Sequence, residues 1–325
     1  MKACLAAPLL ALLCLHAQAF DLQGHRGARG LAPENTLPGF ARTLGIGVTT
    51  LETDIAVSRD GVLLISHDPA LNPDITRGPD GQFLNARGPV IWHTDLAELQ
   101  RYDVGRLKPG TRYAAQFPEQ KPHDGARLPT LDELFALVRK SGDPQLRLAL
   151  EIKVRPDAPD ETMAPEPFAR KLVEAVRAAG LAPRATILSF DWRALQTVQK
   201  LAPEIGTVYL TIQQRNFDNI GAGQPGASPW TAGFGHGEHG SVPKMIHAAG
   251  GRIWSSFHGD LDAAKVREAQ RLGLTVLAWT VNDPARIAQV MDMGVDGIVS
   301  DRPDLVREEM QRRGRPLPRP TPMTP

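Results

Sequence analysis

Short apolar runs alternate with amphipathic segments along most of this chain. Residues 49–57 and 146–154 have the clearest strand pattern, because apolar side chains occupy every second position and polar side chains fall between them. Further strand-like runs occupy residues 22–24, 62–66, 185–190, 207–211, 252–257, 275–281 and 297–300. Helical patterns lie at residues 35–44, 131–140, 167–179 and 192–201. This alternation predicts an α/β fold with parallel strands and crossover helices, and we favour a (β/α)8 barrel.

The strand-like runs exceed the eight positions of such a barrel by one. Either a terminal run is peripheral, or residues 62–66, which follow a tight turn, extend a neighbouring strand locally. Residues 68–129 are rich in Pro, Gly and Asp and show little periodicity, which predicts an inserted lobe beside the site rather than a structureless loop. Residues 216–241 are irregular and rich in glycine, and we interpret them as a mobile lid.

Composition narrows the range of functions. A chain of 325 residues with 42% hydrophobic residues can bury a large core, either as one barrel or as two ordinary domains. The formal net charge is +1, and no basic block interrupts the body of the chain. Nucleic acid is therefore not expected as a partner.

The two ends of the chain have compositions of their own. Residues 1–19 resemble a secretory signal peptide, with a basic start at Lys2, an apolar run and a small-residue cleavage site ending at Ala19. Both cysteines, Cys4 and Cys14, fall within it, which excludes disulfides and thiolate metal sites from the mature chain. We expect an exported protein, periplasmic or secreted, without a stable membrane anchor. The barrel would then span residues 20–311, followed by a disordered Pro/Arg tail at residues 312–325.

Three acidic side chains on predicted strands form the first candidate site. Glu52 and Asp54 are two residues apart and point to the same side of their strand, and Glu151 has the equivalent position in the later strand. Carboxylates buried together need a cation, a proton or donors between them. We expect them to bind one divalent cation, Mg²⁺ or Ca²⁺, because all the ligand atoms are oxygens. The alternative is a salt-bridged cluster at the barrel mouth.

Two histidines and two cationic residues lie at predicted strand ends. His25 and His67 each follow an apolar run, so both would face the active-site end of a barrel and could divide the proton transfers of a reaction. Arg26 and Lys153 would bind an anionic group there, although Lys153 could instead pair with a neighbouring glutamate. For each histidine alone, a purely structural role remains the alternative. Two cations favour a phosphoester over a neutral sugar as the substrate.

Several short motifs make the chain resemble the glycerophosphodiester phosphodiesterases. The matching residues cover nearly all of the chain from residue 22 to about residue 308, in the family's order: Gly24-His25-Arg26-Gly27, Pro33-Glu34-Asn35-Thr36, Glu52-Thr53-Asp54, Ser66-His67-Asp68, Glu151-Ile152-Lys153 and Trp279-Thr280-Val281-Asn282. The combination is far more specific than any single motif.

This resemblance implies a (β/α)8 TIM barrel of the phospholipase C-like phosphodiesterase type, with a small insertion between residues 68 and 129. It implies metal-dependent hydrolysis of glycerophosphodiesters to an alcohol and sn-glycerol 3-phosphate. By the same resemblance, His25 and His67 would be the general acid and base, and Arg26, Lys153 and Glu34 would be substrate-binding residues. Trp279, which closes a predicted strand, is a candidate for contact with substrate carbons on its position alone, and a place in the core is the alternative. Glu34 would orient the first histidine or a metal-bound water. The nucleophile would be water or the substrate's own 2-hydroxyl.

Two other functions compete with this hypothesis. A phospholipase C or D type enzyme acting on intact lipids would need an apolar rim, and the inserted lobe contains enough aromatic residues to keep that alternative open. A non-catalytic exported protein that binds phosphodiesters would be expected to lack a histidine or a metal ligand, and every motif retains its charged residue.

Overall fold

A computed structural model describes residues 19–324 of the chain. The predicted signal segment therefore lies outside the described residues, except for Ala19. Among the described helices, none has both the length and the apolar character that a bilayer crossing requires.

Eight parallel strands of the described residues close into a barrel, which confirms the predicted (β/α)8 fold. In chain order the strands of the structure are β1 (Asp21–Gly24), β2 (Thr50–Val57), β3 (Leu63–Ile65), β4 (Arg147–Ile152), β5 (Ala185–Ser189), β6 (Gly206–Thr211), β7 (Gln213–Gln214), β8 (Phe217–Asp218), β9 (Ile253–Phe257), β10 (Thr275–Trp279) and β11 (Gly297–Ser300). The parallel order is β1-β11-β10-β9-β6-β5-β4-β2, and pairing of β1 with β2 closes the ring.

The ninth strand-like run, residues 62–66, contains β3. It extends the sheet locally beside β2, which was one of the two alternatives that the sequence allowed. Strand β3 pairs antiparallel with β2, with Ile55 opposite Ile65 and Val57 opposite Leu63. It returns along β2 after the turn at Ser58, whose backbone N–H donates to Val62 O at 3.0 Å. The short strands β7 and β8 form a separate hairpin after β6.

Each barrel strand is followed by a helix on the outside. The helices are α1 (Leu37–Ile46), α2 (Leu96–Leu99), α3 (Leu131–Ser141), α4 (Pro165–Ala178), α5 (Trp192–Leu201), α6 (His236–His239), α7 (Val242–Ala248), α8 (Ala263–Arg271), α9 (Pro284–Asp292) and α10 (Pro303–Arg312). Local sequence sets their starts: Thr36 caps α1, and Thr130 with Glu133 forms a capping box at α3. The four predicted helices agree with α1, α3, α4 and α5 to within two residues at either end.

Apolar side chains of the barrel pack in two layers. The larger layer lies between strands and helices and includes Leu51, Ile55 and Trp192, all fully buried. The smaller layer fills the inside of the barrel with Leu188, Leu210 and similar residues. Alternate strand residues supply the two layers, so the side chains that point inward just above the inner layer face the C-terminal mouth of the barrel.

Residues 68–129 form a small lobe beside that mouth. Leu71, Ile91, Leu99, Val104 and Leu128 form their own apolar cluster with Ala56 and Leu64 of the barrel. The lobe contains the short helix α2 and otherwise consists mainly of turns and isolated bridges. Its apolar cluster explains how a segment with so little regular structure holds a shape.

The C-terminal tail differs from the prediction of disorder. Helix α10 ends at Arg312, and the chain then runs back over the barrel: the Thr321 N–H donates to Leu44 O at 2.7 Å, and Arg307 Nη1 donates to Pro318 O at 2.6 Å. Met323 packs on the main core, and the Arg315 guanidinium lies 4.9 Å from the Phe20 ring centroid. The Pro and Arg content of the tail predicted disorder. Composition contains no information about these contacts with residues far away in the sequence.

Removal of residues 315–325 should therefore lower the stability of the fold. Loss of the backbone hydrogen bonds and of the Met323 contact should lower the melting temperature by about 2 °C or more. Arg319→Ala, at an exposed tail position, is the matched control and should leave it unchanged. An unchanged melting temperature in the truncated protein, measured by calorimetry, would contradict the docked tail.

Candidate active site

The loop after β1 places His25 and Arg26 at the barrel mouth. The backbone N–H of His25 donates to Ser300 O at 2.9 Å. Arg26 and Gly27 follow in left-handed conformation, with φ of 49° and 71°. This conformation is strained for an arginine. It turns the Arg26 backbone N–H towards Glu52, where it donates to Oε2 at 2.9 Å. The loop backbone therefore binds one carboxylate of the candidate metal site.

The structure brings Glu52, Asp54 and Glu151 together. Asp54 and Glu151 are direct partners in the register of β2 and β4, and Glu52 lies one inward position before Asp54. One carboxylate oxygen of each residue lies within 4.8 Å of the others, and all three residues are buried. Neighbouring parallel strands thus supply three oxygen ligands at one point, an arrangement that could hold a hard cation.

Two cationic side chains contact the same carboxylates. Arg26 Nε lies 3.2 Å from Asp54 Oδ2, and Lys153 Nζ lies 2.7 Å from Glu151 Oε1 and 3.4 Å from Asp54 Oδ1. Asn35 Nδ2 also donates to Asp54 Oδ2 at 2.8 Å. Lys153 therefore makes the pairing that the sequence left as an alternative, and it does so inside the cavity, where a bound anion would also meet it.

Burial and charge affect the three carboxyls differently. Burial, with Asp54 and Glu151 nearby, raises the pKa of Glu52 well above its usual value. Burial also raises the pKa of Glu151, to about 7, with Lys153 opposing. At Asp54 burial acts in the same direction, but Lys153 and Arg26 outweigh it and hold the pKa well below its usual range. The cluster thus retains a proton readily, as expected of a site with more negative charge than its cations neutralise.

Each candidate histidine is bonded to an aspartate through Nδ1. His25 Nδ1 lies 2.6 Å from Asp301 Oδ1, and His67 Nδ1 lies 2.7 Å from Asp68 Oδ1. An ionised carboxylate can only accept, so Nδ1 carries the proton in both rings and Nε2 remains for other groups. Burial lowers the pKa of His25, with Asp301 opposing. Burial, followed by Arg26 and Lys153, lowers the pKa of His67 to about 4. The His67 side chain is 31% exposed, so solvent weakens the effect of burial on this pKa.

One cavity of about 520 Å³ joins these groups at the barrel mouth. Both histidines, Arg26, Lys153, Glu52 and Glu151 line it, while Asp54 lies fully buried beneath them. Trp279, the candidate for substrate contact, also lines the cavity, and its indole N–H donates to Ser255 O at 3.0 Å. Apart from Glu34 and the buried Asp54, the residues selected from the sequence therefore line one space.

Glu34 has a different position from the one that the resemblance implied. Its Oε1 accepts from Arg26 Nη1 at 3.0 Å, its Oε2 accepts from the Tyr113 hydroxyl, and it is not among the residues that line the main cavity. Its hydrogen bonds are with Arg26 and Tyr113 and not with His25. Glu34 is thus placed to hold the Arg26 side chain from behind.

The sequence interpretation missed the residues that support His25. Asp301 lies directly after β11 and accepts from Arg29 Nε at 2.7 Å and from Asn282 Nδ2 at 2.7 Å, in addition to His25. Arg29 Nη1 donates to the Tyr113 hydroxyl at 3.0 Å, which connects the inserted lobe to the site. Asp301 could have been found as an acid at a strand end. Tyr113 carries no such signal, because it is 79 residues from its partner Glu34.

The fold and the site together define a (β/α)8 barrel with the features of a phosphodiesterase. An acidic cluster beside two cations can bind a divalent cation and a phosphate, and two histidines can transfer protons on either side of it. The chain belongs to the glycerophosphoryl diester phosphodiesterase family of enzymes, whose sequence model matches residues 25–305. The resemblance seen in the sequence is thereby confirmed.

Known relatives agree over nearly the whole chain. A glycerophosphodiester phosphodiesterase of Caldanaerobacter subterraneus is 26% identical over 89% of this chain and 97% of its own length. A crystal structure from Silicibacter pomeroyi that carries the family name has a TM-score of 0.82 at 34% identity, covering 92% of this chain and 95% of that one. A phosphodiesterase from Oleispira antarctica, solved with sn-glycerol-3-phosphate, has a TM-score of 0.63 at 23% identity, covering 90% and 96%.

Replacement of Asp301 should impair catalysis without unfolding the barrel. Asp301→Asn keeps the shape but removes the charge that fixes Nδ1–H of His25, so turnover of a chromogenic phosphodiester should fall by about two orders of magnitude or more while KM changes little. Nitrogen NMR of His25 should show loss of the single Nδ1–H tautomer. Asp304→Asn, which removes a partner of Arg302, is the control. Unchanged turnover and tautomer in Asp301→Asn would exclude this role.

Proposed function

We propose that this chain hydrolyses glycerophosphodiesters to an alcohol and sn-glycerol 3-phosphate, with one divalent cation as cofactor. The observation that carries the proposal is the convergence of three carboxylates, two cationic side chains and two aspartate-bonded histidines on one cavity. Family membership supports phosphodiester chemistry. The product-bound Oleispira antarctica structure supports the choice of product. The partner is a small molecule, and neither nucleic acid nor a stable membrane anchor is part of the proposal.

The acidic cluster fits a hard divalent cation, Mg²⁺ or Ca²⁺. All three donors are carboxylate oxygens, and Asp54 Oδ1 accepts no hydrogen bond from the described residues although it is buried. A cation held by Glu52, Asp54 and Glu151 would supply positive charge for the non-bridging oxygens of a phosphate group. Arg26 and Lys153 would contact the same oxygens, so that charge developing during hydrolysis meets groups already in place.

The two histidines would move the protons. One Nε2 takes the proton from the attacking oxygen, which then forms a bond to phosphorus, and the other ring gives a proton to the alkoxide that leaves. Asp301 and Asp68 hold the Nδ1–H of each ring and stabilise the imidazolium state that one ring has before the step and the other after it. The attacking oxygen comes from water or from the substrate's own 2-hydroxyl; in the second case a cyclic phosphate forms first, and water then opens it to sn-glycerol 3-phosphate.

Export to the periplasm or the medium is part of the proposal. It rests on the pattern of residues 1–19. Cell fractionation with an antibody to the barrel tests it, since an unprocessed cytoplasmic chain would contradict it.

Each catalytic histidine should be required for turnover. His25→Ala and His67→Ala should each lower the release of sn-glycerol 3-phosphate from glycerophosphocholine by roughly two to four orders of magnitude, because each removes a proton-transfer group. Circular dichroism should show an intact barrel. His247→Ala, at an exposed position on α7, is the matched control. Full activity in either cavity variant would remove that histidine from the mechanism.

Metal removal should abolish activity reversibly. EDTA should stop release of sn-glycerol 3-phosphate, and Mg²⁺ or Ca²⁺ should restore it. Titration calorimetry should show cation binding that is weakened in Glu151→Gln and kept in Glu174→Gln, an exposed control on α4. Activity that survives EDTA would contradict the proposed cofactor. In the same assay, hydrolysis of phosphatidylcholine vesicles in preference to glycerophosphocholine would favour the phospholipase alternative.

A further inference from the structure

The cavity has two halves of opposite chemistry. The charged residues that line it all belong to the part of the sequence from His25 to Asp157, on the side of β1, β2 and β4. From Leu188 onwards, every lining residue that the structure describes is uncharged, on the side of β5, β6, β9, β10 and β11. The proposed reaction uses only the charged half. A phosphodiester has two alcohol substituents, so the phosphate can bind in the charged half while one substituent extends over the other.

Four aromatic side chains, Phe190, Phe217, Trp230 and Trp279, line the uncharged half, and we call them the aromatic wall. Their rings meet edge to face in sequence, with centroid distances of 5.5 Å for Trp279 and Phe190, 5.3 Å for Phe190 and Phe217, and 5.2 Å for Phe217 and Trp230. Lys153 Nζ lies 5.9 Å from the Phe190 centroid. The aromatic wall therefore begins beside the proposed phosphate site and extends away from it.

Hydrogen bonds to backbone groups hold the outer part of the aromatic wall, Phe217 and Trp230, in place. Phe217 and Trp230 come from the segment after β6, and Asn219 is fully buried in that segment. Its side chain accepts from Ile212 N at 2.9 Å and donates to Leu210 O at 3.0 Å. The Trp230 carbonyl accepts from the N–H of Trp192, the first residue of α5, at 2.8 Å. A surface held in this way loses little freedom when a ligand binds.

We infer that the aromatic wall binds the leaving alcohol of the substrate and favours one that carries a trimethylammonium group, such as choline, over a polyhydroxylated one. This inference rests on the proposed function and adds the head-group class to it. Phe217 and Trp230 are the residues that determine the preference, because they extend the aromatic wall beyond the barrel strands.

The physical basis is the contact between methylated cations and aromatic faces. A quaternary ammonium group has no hydrogen bonds to lose, and the negative faces of Trp and Phe rings attract its charge. A polyol laid on the same rings would lose hydrogen bonds to water, and the Trp279 N–H is already bonded to Ser255 O. Lys153, whose Nζ lies 5.9 Å from the Phe190 centroid, is paired with Glu151 and Asp54, which limits its repulsion of a second cation.

Competing substrates test the inference. The ratio of kcat/KM for glycerophosphocholine to that for glycerophosphoinositol should exceed one in the wild-type protein, and Phe217→Ala or Trp230→Ala should lower this ratio by about tenfold. Trp230→Phe should restore much of it. A neutral substrate, with a 3,3-dimethylbutyl group in place of choline, should react several-fold more slowly than glycerophosphocholine in the wild type. Phe234→Ala is the matched control, because Phe234 belongs to the same segment but packs on Trp192.

Several outcomes would overturn the inference. They are an unchanged ratio in both alanine variants, an equal loss for both substrates, or equal rates for the charged and neutral head groups. Calorimetry with phosphocholine and inorganic phosphate separates this result from failure of the proposed function. The wild type should bind phosphocholine more tightly than phosphate, and Trp230→Ala should remove the difference, whether or not any diester is hydrolysed. Equal affinity in the wild type would reject the subsite even in an active enzyme.

Discussion

The burial of three carboxylates at one point is the constraint on which the site depends. Glu52, Asp54 and Glu151 carry more negative charge than Arg26 and Lys153 neutralise, and burial makes that excess costly. The surroundings reduce the cost through the Arg26 backbone N–H and the Asn35 amide. What remains is an affinity for positive charge, which raises the pKa of Glu52 and Glu151 and which a divalent cation could satisfy in place of a proton. The proposed cation cofactor rests on this imbalance.

A second layer of residues determines how the site works. Asp301 and Asp68 fix the tautomers of the two histidines, and Glu34 holds Arg26 from behind. Tyr113 bonds Glu34 and accepts from Arg29, the residue that supports Asp301. The inserted lobe thus reaches both the proposed phosphate-binding side chain and the support of a histidine. The inserted lobe is therefore a structural part of the active site and not only an addition to the barrel.

Barrel topology explains why the cavity has two different halves. Charged side chains come from β1, β2 and β4, which are neighbours in the ring, while the aromatic wall comes from β5, β10 and the segment after β6. Substitutions in the aromatic wall can therefore alter substrate preference with little effect on the charged residues of the other half. This division is common where loops at a barrel mouth determine specificity. Phe217 and Trp230, which lie outside the barrel strands, are the natural place for such change.

The sequence by itself determined the barrel, most strand and helix positions, and the residues of the acidic cluster, because periodicity and strand-end position are local properties. Alternation along β2 and β4 predicted that Glu52, Asp54 and Glu151 lie on inward faces, without any information about the distances between them. Only the tertiary structure decided which partners those residues have. Asp301 reaches His25 across 276 positions, and the tail docks on α1 through contacts that its composition does not record. Hydrogen bonds between distant segments depend on how the ring closes, and no window of sequence contains that information.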